Sequence, residues 1–255
     1  MKEVIDRFST KSDKYVKFRP TYPQEIYDLL LSRVSAREAL WDCGTGNGQV
    51  AGVLSTSFET VEATDISENQ LSHAIQKENI SYSCQRAENT TFRDDSFDLI
   101  TVAQAIHWFD HSAFANEAKR VLRPDGVLAY WGYGLLRISK DIDALIDEFY
   151  NVTIGSYWDP ERKHIDERYA NVDLGLVNQE TIFPSSLQFT WTLSHLSGYL
   201  NTWSSVKKYR AAYEQLDPVQ DLINEISELI GADTSINIQL PLFLICGKFD
   251  QSVQG

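Results

Sequence analysis

Asp42-Cys43-Gly44-Thr45-Gly46-Asn47-Gly48 places a carboxylate and three alternating glycines directly after the apolar run Ala39-Leu40-Trp41. Glycines let a backbone turn tightly and approach a ligand with no Cβ in the way. The amides at the start of the following segment, Gln49-Val50-Ala51-Gly52-Val53-Leu54, can donate to polar ligand groups. The acid comes before the glycines, and Gln49 stands where a dinucleotide fingerprint would place its last small residue. That spacing favours a ligand with a positive, amino-acid-like end over a pyrophosphate. Further groups able to do chemistry recur at intervals: Asp65, Glu88, Gln104 beside His107-Trp108-Phe109, and Arg19 in Tyr15-Val16-Lys17-Phe18-Arg19-Pro20.

These groups need elements to hold them. Ala39 to Asp42 reads as a buried strand running into a helix at Gln49. Thr60–Asp65 predicts a second strand, and Ser67-Glu68-Asn69-Gln70 has the spacing of a capping box, with Leu71, Ala74 and Ile75 as the buried face of the helix it starts. Ile80–Cys84 predicts a third strand and Phe97–Ala103 a fourth, apolar enough to be central. Asp98, at the start of that strand, reads as structural. Asp110 or Ser112 caps a helix carrying Phe114, Ala118, Val121 and Leu122 inward. Pro124-Asp125-Gly126 then turns the chain into a fifth strand, Val127 to Trp131. Strands alternating with helices imply a parallel sheet covered on both faces.

The second half changes character. Ser139 to Phe149 is amphipathic, and a polar, aromatic stretch follows to Asn178. Leu187, Phe189 and Trp191 alternate as a strand. Asp217-Pro218 and Gly231 bracket a helix, and Ile236, Ile238 and Leu240 alternate before the apolar run Leu242 to Cys246. Pro241 marks a break or an edge in that last strand. The expected division is a single domain over 1–255, with an N-terminal cap (1–34), a ligand-binding core (35–134), a lid insertion (135–178) and C-terminal strands and helices (179–255).

Composition bounds the partners. A formal charge of −13, from 36 acidic and 23 basic residues, argues against a nucleic-acid or anionic-membrane surface. Cys43, Cys84 and Cys246 are few and in apolar contexts. They read as reduced, buried thiols of a cytoplasmic protein, with no metal site implied. No stretch is long enough to span a bilayer, and the first residues carry no apolar signal region. The oligomeric state is left open.

With its acid followed by G-x-G-x-G, the chain resembles the class I S-adenosylmethionine-dependent methyltransferases over residues 35 to 132. The resemblance implies a Rossmann-like α/β sheet, mostly parallel, closed by an antiparallel C-terminal strand, with helices on both faces and a helical lid. It implies S-adenosyl-L-methionine as cofactor, with Gly44, Gly46 and Gly48 flanking its methionyl part and Asp42 near the ammonium. Asp65 would accept from the ribose hydroxyls, Ile66 would pack on the adenine, and Ala87 and Glu88 would hold the adenine amino group. Gln104 and Ala105 would face the sulfonium. The late strands would form the closing hairpin of the sheet. Tyr15 to Pro23, Ala105 to Asp110 and Thr202-Trp203-Ser204-Ser205 look like the small-molecule branch that includes the trans-aconitate methyltransferases.

Methyl transfer from a sulfonium is an in-line displacement, so catalysis consists largely of holding the acceptor aligned and dry. A carboxylate acceptor needs no base; a phenol, thiol or protonated amine does. His107 is the candidate base, and Arg19 a candidate for the cofactor or substrate carboxylate, with Arg162, Lys163 or His164 as further cations. Tyr15, Tyr22, Trp108, Trp158 and Trp203 are the expected acceptor pocket. The expected function is methylation of a small molecule, with O-methylation of a carboxylic acid as the expected reaction. The alternatives are an NAD-dependent oxidoreductase and a non-catalytic S-adenosylmethionine binder.

Overall fold

A computed structural model of the protein describes residues 20–250. The first half alternates strand and helix: α1 (Gln24–Leu31), β1 (Ala39–Cys43), α2 (Gln49–Leu54), β2 (Thr60–Asp65), α3 (Glu68–Ser72), β3 (Ile80–Cys84), β4 (Phe97–Ala103), α4 (His111–Val121) and β5 (Leu122–Tyr133). A helical insertion follows, with α5 (Lys140–Glu148), a π turn at Phe149–Thr153, a 3-10 turn at Gly155–Tyr157 and α6 (Arg162–Asp166). The chain ends with β6 (Leu176–Ile182), β7 (Leu187–Thr192), α7 (Leu193–Leu200), α8 (Ser204–Ala212), α9 (Pro218–Ile230), β8 (Ser235–Leu240) and β9 (Leu242–Phe249).

Seven strands form one sheet in the order β3-β2-β1-β4-β5-β9-β6. The first five are parallel, and β9 joins β5 antiparallel, as does β6 to β9. Strand order reverses between β1 and β4, so their carboxyl ends part and leave a crevice there. Alternating side chains feed two cores. Leu40, Leu99, Ala129 and Trp131 join the layer with α1, α2 and the C-terminal helices, whereas Trp41, Ile100 and Tyr130 join the layer with α4.

The sequence expectations for β1 to β4 coincide with the observed strands, and several caps do as well. Ser67 Oγ accepts from Gln70 N at 3.4 Å, Asp110 caps α4 through Ala113 N, and Asp217 caps α9 with Pro218 in its first turn. Asp98 is structural: its carboxylate accepts from the Glu38 and Ala39 amides and from Arg123.

Four expectations are corrected. The helix after Ser67 ends at Ser72, so Ala74 is buried but Ile75 is 42% exposed, and Gln70 is the buried residue of α3. Residues 123–126 form an irregularity within β5, where pairing jumps from Phe97–Leu122 to Leu99–Val127. The strands at Leu187 and Ile236 do not close the main sheet; β7 and β8 pair as a separate two-stranded sheet, and the main sheet's edge is β6. Pro241 is the break that lets consecutive strands, β8 and β9, serve different sheets. Finally, Cys43 and Cys246 are buried thiols, but Cys84 is exposed. Among the described residues no helix is long and apolar enough to cross a membrane.

Candidate active site

The crevice is built upward from Asp42. It is 1% exposed at the end of β1, and its hydrogen bonds tie that end to β4 and to the turn that follows. Oδ1 accepts from the Thr101 hydroxyl at 2.7 Å, and Oδ2 accepts from the Thr45 hydroxyl at 2.5 Å and from Ala51 N at 3.1 Å. That last bond satisfies an orphan amide at the start of α2, whose N-cap residue, Gly48, has no side chain to do so. Burial pushes the Asp42 carboxyl up to about 6, against the pull of these donors.

The glycine turn needs its glycines. Gly44 has φ +68°, and a Cβ there would lie 2.6 Å from Ala105 Cβ, so the β1 and β4 ends could not approach. Gly46 has φ +57° with open space where a Cβ would project. Its amide donates to Asp65 Oδ2 at 2.9 Å, while Asp65 Oδ1 accepts from Ser67 N at 2.9 Å. Asp65 thus ties the β2 end to the glycine turn.

A cleft of about 770 Å³ opens over this frame. Of the residues expected from the sequence, Asp42, Gly44, Gly46, Asp65, Gln104 and Ala105 line it together, with Tyr22 and Trp108. Thr45, Asn47, Gln49, Val50, Gln70 and Tyr133 line it too and were not singled out. Gly48, Ile66, Ala87 and Glu88 are not among the lining residues. Ile66 is 37% exposed, Ala87 is buried, and Glu88 accepts from Asp110 N at 3.0 Å while pairing with Arg86 at 3.2 Å. Tyr15 and Arg19 lie outside the described residues. The donor set suits a nucleoside carrying an amino acid. The glycines leave room for close backbone approach, and Gln70 Oε1 is a buried acceptor with no partner among the described residues.

A second cavity, of about 1120 Å³, meets the first at Gln104, Trp108 and Tyr133, which line both. Gln104 has φ +55°, a conformation uncommon for a residue with a Cβ, and its side-chain amide donates to Tyr133 O at 3.3 Å. The remaining wall comes from the insertion and from α7 and α8: Trp158, Asp159, Arg162, Ile165, Tyr199, Trp203, Lys207 and Lys208, with His107. Arg162 sits over the Trp158 ring at 4.9 Å and donates to the Tyr150 hydroxyl at 2.6 Å. Lys208 pairs with the buried Asp159 at 2.7 Å.

His107 is 5% exposed, and its Nδ1 lies 3.0 Å from the hydroxyl of the fully buried Tyr169. Burial holds that phenol well above its ordinary value, so it stays protonated. Of the other expected cations, Lys163 is exposed and His164 is hydrogen-bonded to Asn171 at 2.6 Å; neither lines the cavity. Lys207 and Lys208 were missed by sequence reasoning. A signal was present, since Lys207 follows Trp203 by four residues and so shares its helix face. Among the described residues no cluster of three or more His, Cys, Asp or Glu side chains could hold a metal ion.

A parallel sheet with a glycine turn between acid-tipped strands defines the class of nucleotide-type cofactor folds, and comparison with known proteins supplies the family. Residues 41–130 match the model of a methyltransferase domain. The chain is 34% identical to a Dictyostelium discoideum protein named as a methyltransferase, over 95% of each chain. It is 22% identical to a Saccharomyces cerevisiae protein named for S-adenosylmethionine-dependent methyl transfer, covering 93% of this chain and 96% of that one. The solved structure of an Anaeromyxobacter dehalogenans protein named as a type II methyltransferase superposes with a TM-score of 0.79 at 31% identity, covering 91% and 98%. The protein belongs to the class I S-adenosylmethionine-dependent methyltransferases. It is an enzyme, its cofactor is S-adenosylmethionine, and the nicotinamide reading is set aside.

Proposed function

We propose that the protein methylates a small organic acid on a carboxylate oxygen, the acceptor entering the second cavity and meeting the cofactor across Gln104, Trp108 and Tyr133. The observation that carries this reading is the wall of that cavity, where Arg162, Lys207 and Lys208 stand among Trp158, Tyr199 and Trp203. Such a lining suits a molecule with an apolar body and an anionic end. S-adenosylmethionine supplies a methyl group already activated by its positive sulfur.

The protein's part is positional. Tyr22 and Trp108 shield the transfer end from water, and the tie from Gln104 to Tyr133 O fixes the shared wall. Arg162 is suited to gripping a carboxylate through its planar fork, and Asp159 holds the neighbouring ammonium of Lys208 in place. These cations orient the acid through a second oxygen or second carboxylate, leaving the reacting oxygen its charge. Arg19 remains a candidate for either carboxylate.

A second reading has its own observation, since His107 lines the same cavity. In this reading His107 would serve as base for a phenol. Initial rates of methyl transfer to a panel of acids, phenols and amines separate the two. Acids should turn over, and Arg162→Ala and Lys207→Ala should raise their KM while leaving S-adenosylhomocysteine affinity within about twofold of wild type. Turnover of neutral phenols alone, abolished by His107→Ala, would replace the acid reading.

A further inference from the structure

Tyr169 reaches His107 from a strained stretch of backbone. It follows α6 beside Arg168, and the two stand at φ +60° and +52° without being glycine. Successive left-handed residues with side chains persist only where their surroundings hold them. Here the Tyr169 amide donates to His164 O at 2.7 Å. The ring is driven into the core, 1% exposed, edge-on to Phe243 at 5.1 Å and 5.9 Å from Tyr130. That placement delivers one hydroxyl, 3.0 Å from His107 Nδ1.

The direction of this hydrogen bond follows from what each group can give. A buried hydroxyl hydrogen needs an acceptor, and among the described residues the Tyr169 hydroxyl is hydrogen-bonded to His107 Nδ1 alone. Burial raises the phenol's pKa and keeps that hydrogen in place. Tyr169 therefore donates and Nδ1 accepts. A neutral imidazole has one donor and one acceptor nitrogen, so the ring hydrogen sits on Nε2. Turning the ring over would set a carbon against the hydroxyl and leave it unpaired. His107 also lines the second cavity. With Nδ1 taken, the nitrogen it can bring to a ligand there carries a hydrogen. Such a group donates to a carboxylate and has no lone pair with which to take a proton from a phenol.

We infer that Tyr169 is a positioning residue that fixes His107 in its Nε2–H form, so that His107 orients an acid acceptor as a hydrogen-bond donor and does not act as a base. The donor role rests on the acid acceptor proposed above. The tautomer does not, and it is read on the protein without an acceptor, so the two can fail separately.

The test is the imidazole nitrogen spectrum of protein labelled with nitrogen-15 histidine, recorded in alkaline solution, with His107 assigned by the signals missing from His107→Gln. The wild type should show the Nε2–H pattern, and Tyr169→Phe should move it toward a mixture of the two tautomers. An Nδ1–H pattern in the wild type overturns the proposal with no variant needed, and so does a pattern that Tyr169→Phe leaves unchanged. Kinetics then read the donor. His107→Phe should lower kcat/KM for an acid about tenfold, mainly through KM, whereas loss of a base would fall on kcat. His107→Gln, whose amide nitrogen stands in for Nε2–H, should recover most of that loss. Equal losses in the two variants, carried by kcat, would overturn the donor role.

Discussion

Asp65 is a single carboxylate that organises the fold while lining the cofactor cleft. Its two oxygens accept from the Gly46 and Ser67 amides, so the glycine turn and the start of α3 are referenced to one side chain. Asp65→Ala removes that reference and, on the proposed reading, an acceptor for the cofactor. S-adenosylhomocysteine affinity should fall about ten- to a hundredfold. Calorimetry finding unchanged affinity in a folded variant would take Asp65 out of the site. Asp42 makes a different prediction, through pH. Its folded-state pKa, about 6, lies above the ordinary carboxylate value of 3.8 because burial disfavours the charge. The folded protein therefore binds the proton more tightly than the unfolded chain does. Asp42 contributes stability at low pH that is lost as pH rises from about 4 through the folded pKa of about 6, levelling off about one unit above it. Chemical denaturation across this range should show wild-type stability falling relative to Asp42→Asn, with the curves becoming parallel about one unit above the folded pKa. Parallel curves throughout would mean that Asp42 titrates normally.

At the scale of elements, legibility followed burial. β1 and β4 are interior strands whose apolar runs announce themselves, and the caps at Ser67, Asp110 and Asp217 are local side-chain chemistry. β6 left no such trace. It is an edge strand with Val177 to Thr181 exposed, so nothing in its sequence alternates. Residues Arg168 and Tyr169, both at positive φ without being glycine, redirect the chain before it in a way that no turn motif signals. For the site, the acid and glycines of the turn were readable because a ligand-approaching backbone demands them. Lys207 left only its four-residue spacing from Trp203 and Lys208 no signal, since lysines on an exposed helix face are ordinary until Trp158 and Arg162 line the same cavity. The insertion carries a prediction of its own as a lid. Amide exchange across residues 139–178 should slow when S-adenosylhomocysteine and an acceptor acid are both present. Identical exchange with and without the two ligands would make it a fixed wall.

The whole molecule carries a formal charge of −13. Its long-range field does not attract an anion, so on the proposed reading an acid acceptor is recognised locally, at Arg162 and Lys207. An enzyme that steers its substrate loses kcat/KM steeply as salt screens the attraction. Here kcat/KM for an acid should stay level or rise between low and physiological ionic strength, and a steep fall would show a steering field stronger than the net charge implies. On the same reading, the cofactor and acceptor regions divide along the chain. The match to a methyltransferase domain ends at residue 130, whereas Arg162, Trp203 and Lys207 all come later. Substitutions that change which acid is accepted should therefore concentrate beyond β5.

One connection limits how such a molecule can open. Pro241 alone separates β8 from β9, and the first residues after β5 are laced to the same place: Gly134 N donates to Pro241 O at 2.9 Å, and Arg137 and Gln239 exchange amide bonds of 2.8 Å. The small sheet is laced to the large one at this corner, so swinging the C-terminal layer away like a jaw would have to break these bonds. With residues 135–178 as the proposed lid, the aperture for departing product comes from the stretch that begins beyond Ile138 and ends where β6 takes hold. Turnover governed by product escape would then respond to a crosslink within that stretch and ignore one placed across the two sheets.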